Sequence, residues 1–102
     1  MLIVNADSLT RAGRRHADAA SALRAWRRVV EEAQWRSIAD VRRVYPGADG
    51  VEVASGDIVT VFNIRGSNYR LLTRISYRAQ VVMVAEFLTH AEYDRNQWKR
   101  RL

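Results

Sequence analysis

The chain has 102 residues, 48% of them hydrophobic, with 17 Lys or Arg against 11 Asp or Glu and a formal net charge of +6. That length fits one domain, residues 1–102, burying roughly two-thirds of its unfolded surface, and the apolar content excludes wholesale disorder. The lack of cysteine excludes disulfides and thiolate metal sites, and His16 and His90 alone are too few for a structural zinc site, so no metal and no other cofactor is expected.

Leu2 to Val4 is a short apolar run that reads as a strand; the apolar start is too short for a signal peptide or a membrane span, and a cytoplasmic location is expected. Asp7 or Ser8 caps a first helix through about Arg15, which Gly13 weakens. Asp18 caps a longer helix through about Gln34, whose Leu23, Trp26, Val30 and Ala33 fall on one helical stripe while Arg24, Arg27, Arg28, Glu31 and Glu32 take the other faces. "SIADVRRVYPG" predicts a short third helix capped by Ser37, with Val41 and Val44 inward and Pro46-Gly47 as its stop. His16 falls between the first two helices, in a surface or capping position. Trp26 and Trp35 are core candidates.

The second half reads as strands. "IVTVFNI" (58–64) is β-branched and aromatic, "YRLLTRISY" (69–77) alternates, and "VVMVAEFL" (81–88) is apolar enough for a central strand. Gly66-Ser67-Asn68 and Arg78-Ala79-Gln80 supply the turns, and a further short strand lies near Val51 to Val53. The segment from Thr89 to Arg101 predicts a last helix, with Trp98 packed on the sheet. Helices first and an antiparallel meander after make an α+β fold, with helices on one face of a sheet and the other face free to bind.

A chain this small and this basic favours a polyanionic partner, or an acidic protein. A GC-rich genome explains arginine over lysine but not the positive sum. The pleat gives the charge a place: along 69–77 the odd residues are mainly apolar and the even ones are Arg70, Leu72, Arg74 and Ser76. The hairpin therefore groups Asn63, Arg65, Arg70 and Arg74 as a candidate anion surface. The plain alternative is a solvated sheet face.

"THAEYD" at 89–94 fits a capping box, with Thr89 and Glu92 exchanging hydrogen bonds and Leu88 and Tyr93 as a hydrophobic staple. That accounts for neither His90 nor Asp94. His90, Tyr93 and Asp94 share a helical face beside the arginines. Imidazole, phenol and guanidinium around a phosphate are the groups that RNA cleavage needs: a base for the 2′-OH, an acid for the leaving 5′-oxygen, and a cation for the charge on phosphorus.

"WRSIADVRRVYPGAD", "VFNIRGSNYRLL" and "LTHAEYD", in this order and together with "SALRAW", resemble the HigB toxins of type II toxin–antitoxin systems, within the RelE-like superfamily. The resemblance implies helices on one side of a curved antiparallel sheet and an endoribonuclease that cuts mRNA on translating ribosomes. It further implies attack by the 2′-OH, without a metal. It implies mRNA and the ribosome as partners, a helix-turn-helix antitoxin that neutralises the toxin, and operator DNA reached only through that antitoxin. By position, Asn63, Gly66, Asn68, Tyr69 and Arg70 fall in the family's hairpin motif, and Thr89, His90, Tyr93 and Asp94 in its terminal motif. Many relatives read "NIKGNKYRL" where this chain has "NIRGSNYRL": Arg65 keeps a basic residue and Ser67 replaces asparagine. The expected roles are charge stabilisation by Arg70, proton transfer or stacking by His90 and Tyr93, orientation of His90 by Asp94, and RNA binding by Asn63, Arg65, Asn68, Tyr69 and Arg74. A non-catalytic RNA- or protein-binding module, or a regulatory subunit of a repressor complex, would share the same fold and charge.

Overall fold

Two apolar faces back to back decide the architecture. The computed structural model describes every residue from Met1 to Leu102. In chain order it contains β1 (Leu2–Val4), α1 (Asp7–Arg15), a 3-10 turn (Ala17–Ala19), α2 (Ala20–Glu32), α3 (Ile38–Val44), β2 (Asp49–Glu52), β3 (Ile58–Ile64), β4 (Tyr69–Ser76), β5 (Val81–Thr89), α4 (His90–Asp94) and α5 (Trp98–Arg101). The strands form one sheet in the order β1-β5-β4-β3-β2. All neighbours are antiparallel except β1, which lies parallel to β5. This is the α+β plan expected from the sequence, with an N-terminal strand and a short C-terminal helix. No helix is long and apolar enough to cross a membrane.

On one face, Phe62, Ile64, Leu71, Val82 and Val84 meet Leu9, Leu23, Trp26 and Val30 of α1 and α2. The rings of Trp26, Trp35 and Tyr45 surround Phe62 at centroid distances of 5.4, 6.1 and 5.3 Å. The other face carries a second cluster of Val53, Val59, Val61, Leu72 and Leu88, closed by Trp98. β5 serves both because it bulges: Leu72 pairs with Glu86 but Thr73 pairs with Val84, which leaves Ala85 without a partner on β4. The extra residue reverses the pleat, so Val82, Val84 and Phe87 point to the helices while Leu88 points away.

Several local expectations are corrected. The second sheet face is not free, since Trp98 and Leu102 cover its middle. The last segment is two short helices rather than one, interrupted where Asn96 takes a left-handed φ of 61°. Neither Asp7 nor Ser8 caps α1; the N-cap is Ala6, and the Ser8 hydroxyl donates to Asn5 O. Asp18 does not cap α2 but lies in the preceding 3-10 turn, and α2 stops at Glu32. Ser37 occupies the cap position of α3 without a side-chain bond, and Val44 is 50% exposed rather than inward.

Candidate functional site

The site grows from the β3–β4 hairpin and the junction of β5 with α4. Register sets Asn63 opposite Arg70 and Arg70 opposite Leu88, so Asn63 and Arg70 share the face that α4 overhangs. The chain turns between Ile64 and Tyr69 with both Arg65 (φ 52°) and Gly66 (φ 65°) left-handed. Beyond the turn, Asn68 O accepts the backbone N–H of His90 at 2.9 Å, tying the hairpin tip to the first residue of α4. The capping box is complete: Glu92 N–H donates to Thr89 Oγ1 at 3.2 Å and Thr89 N–H donates to Glu92 Oε1 at 2.9 Å. Leu88 and Tyr93 both join the second core cluster, as a staple requires.

Four of the expected side chains converge here. Arg70 is held by its own hairpin, donating from Nη1 to Ser67 O at 2.7 Å and to Tyr69 O at 3.2 Å. Its Nη2 lies 3.1 Å from His90 Nδ1, and its guanidinium carbon lies 5.3 Å from the centre of the Tyr93 ring. His90 Nε2 lies 3.0 Å from Asp94 Oδ2. An arginine can only donate, so Nδ1 is the acceptor and Nε2–H points to Asp94; the hydrogen bonds fix one tautomer. His90 and Asp94 remain 54% and 60% exposed, so the cluster is open to a large ligand. Tyr93 stacks on Trp98, with centroids 5.1 Å apart and planes 17° apart. Burial, with Asp49 and Asp94 nearby, raises the Tyr93 phenol above its ordinary pKa against the opposing effect of Arg70.

The remaining candidates are placed differently. Asn63 is exposed on the same face, with its amide nitrogen 2.6 Å from where a Cβ on Gly47 would sit. A side chain at position 47 would therefore push Asn63 aside. Asn68 contributes its backbone carbonyl. Arg65 and Tyr69 do not join Arg70: the left-handed turn sends Arg65 to the helical side, where its Nη1 meets Asp18 Oδ2 at 3.1 Å, and the Tyr69 hydroxyl donates to Asp18 Oδ1 at 2.7 Å. Arg74 is engaged by the C-terminal segment, donating to Leu102 O at 2.9 Å, with its Nε 3.4 Å from Asp57 Oδ2. His16 is half-buried against the Tyr69 and Phe87 rings, at 5.0 and 5.8 Å, rather than a plain surface residue. The sequence reading missed the Ser67 carbonyl and Asp49. The pleat of β2 could have placed Asp49 on the Arg70 face, because it pairs with Val61.

Thr89→Ala is expected to lower stability by about 1 kcal/mol, a typical loss for an N-cap, read as the shift of a urea unfolding curve. The Glu92 carboxyl is held below its ordinary pKa chiefly by the Thr89 backbone N–H. Its contribution is present above the unfolded-state pKa and fades as pH falls through the lower folded value. Glu92→Gln should therefore flatten the acid limb of stability against pH. An unchanged limb would refute the capping role.

The model of one family, HigB_toxin, the RelE-like toxic component of a toxin–antitoxin system, matches residues 19–96, more than half of the chain. No curated protein matches.

Proposed function

The chain belongs to the HigB_toxin family of RelE-like toxic components of toxin–antitoxin systems, and from that premise we propose that it is an endoribonuclease that arrests translation by cutting mRNA on the ribosome, in the cytoplasm. Membership implies an antitoxin partner, and we take that partner to be a helix-turn-helix protein that neutralises this chain and carries it to operator DNA.

The observation that carries the reading is Arg70, 3.1 Å from an imidazole nitrogen and 5.3 Å from a phenol ring centre on an open surface. A scissile phosphate drawn to Arg70 competes with His90 for the guanidinium. Once Arg70 turns to the phosphate, His90 Nδ1 is free to take the proton of the 2′-OH. The 2′-oxygen then bonds to phosphorus, the bond to the 5′-oxygen breaks, and that oxygen takes a proton. The Tyr93 phenol is its source. Asp94 holds the Nε2–H and so keeps Nδ1 as the basic nitrogen. Arg70 stays on the phosphate as negative charge builds. Asn63, exposed on the same face, contacts the RNA backbone or a base.

Primer extension on a defined mRNA, free or in programmed ribosomes, tests this. New ends are expected only with ribosomes, and His90→Ala should reduce them roughly 100-fold or more, the usual share of a general base. Folded wild type that yields no ends on several mRNAs would leave a non-catalytic binding protein.

A further inference from the structure

Asp18 takes no part in the reaction as drawn, and it sits on the opposite face of the sheet from Arg70. Yet its carboxylate collects both Tyr69 Oη–H at 2.7 Å and Arg65 Nη1 at 3.1 Å. Those donors lie on either side of the tight turn between β3 and β4. Within the turn, the left-handed backbone at Arg65 is one that a non-glycine residue rarely adopts without outside support. The turn then offers its carbonyls to the site: Ser67 O to Arg70 at 2.7 Å and Asn68 O to the backbone N–H of His90 at 2.9 Å.

We propose that Asp18 is a positioning residue, which clamps the turn from the helical side and so fixes the two carbonyls that aim Arg70 and seat His90. This rests on the reading of Arg70 and His90 as the cleaving pair. The Tyr69 hydrogen bond, ahead of the Arg65 charge and with a smaller contribution from His16, holds the Asp18 carboxyl below its ordinary pKa, so the clamp is charged at neutral pH. His16 packs on the Tyr69 ring, with centroids 5.0 Å apart and planes tilted by 55°, and helps keep the phenol aimed at Asp18.

The test pairs kinetics with NMR. Asp18→Ala should lower the single-turnover rate on programmed ribosomes about tenfold, since small displacements of reacting groups have effects of that order, with KM held within about twofold. Asp18→Asn should fall between, because its amide oxygen still accepts from Tyr69 while the ion pair with Arg65 is lost. In an Arg70→Ala background, Asp18→Ala should cost clearly less than in wild type, because only the seat of His90 is left to lose. The His90 amide resonance should move and exchange faster with solvent. An unchanged rate with an unmoved His90 resonance would overturn the proposal, as would an equal rate loss in both backgrounds. If wild type does not cleave, the NMR arm decides alone, and a stationary His90 amide overturns the clamp. Should Asp18→Ala fail to fold, Tyr69→Phe, which removes one hydroxyl, carries the same expectations.

Discussion

Arg70→Ala is expected to reduce mRNA cleavage by roughly 100- to 1,000-fold, the typical loss on removing one donor aimed at developing negative charge, while the protein stays folded. The structure supports each half of that expectation. The guanidinium is the one that touches His90 and Tyr93, whereas Arg74 is committed to Leu102 O and Asp57, and Arg65 to Asp18. Its own partners, by contrast, lose little. Ser67 lies in an exposed turn and its carbonyl turns to water, and Tyr93 retains its stack on Trp98. Stability should therefore change by no more than about 1 kcal/mol. Arg70→Lys separates charge from geometry. A single ammonium cannot hold Ser67 O and address a phosphate at once, so the lysine variant should recover only part of the rate. Single-turnover cleavage in programmed ribosomes is the measurement. A rate within a few-fold of wild type for Arg70→Ala would remove Arg70 from the reaction.

The parts of this site visible in the sequence are those held by near neighbours. Thr89 and Glu92 are three residues apart, and their capping box follows from spacing alone. His90, Tyr93 and Asp94 share a helical face for the same reason, and alternation along β4 separates Tyr69 from Arg70. The resemblance to HigB toxins added the expectation that the hairpin and the terminal motif meet. What stayed hidden depends on distant partners or on a single backbone dihedral. Parity groups Arg65 with Asn63, but a left-handed φ at the turn sends it to Asp18, 47 residues away. Asp18 itself stands before a helix and looks like a cap, because an acceptor there is equally suited to a backbone N–H. Arg74 lies four residues beyond Arg70 on the same face, and only the return of the C-terminal segment shows that it is taken. The bulge at Ala85 leaves no mark in a run that carries apolar residues on both faces, and without it Leu88 and the start of α4 would point to the wrong side.

That returning segment makes Trp98 the second position where a large effect is expected. Trp98→Ala should cost about 3–5 kcal/mol, the range for emptying a buried aromatic site. The side chain has 0% exposure, packs with Val59, Val61, Leu72 and Leu88, and donates Nε1–H to Tyr93 O at 3.0 Å. A helix of four residues has no stability of its own, so α5 depends on its anchors: the buried ring, the hydrogen bonds to Lys99 O and Leu102 O, and the Arg101–Glu86 ion pair. Removing it exposes the second cluster and frees Leu102, the acceptor for Arg74. For a domain whose total stability is about 5–15 kcal/mol, a substantial unfolded fraction at 37 °C is the expected result, read from urea and thermal unfolding. Trp98→Phe keeps an aromatic ring on Tyr93 but loses the hydrogen bond, so it should cost about 1–2 kcal/mol and stay folded. In that folded variant the consequence for the site can be separated from unfolding. Tyr93 is stacked between the core and the Arg70 guanidinium, and a looser stack should lower the cleavage rate with little change in ribosome affinity. If Trp98→Ala unfolds within 1 kcal/mol of wild type, the second face is held by something other than this ring. Tyr93 would then need a different support.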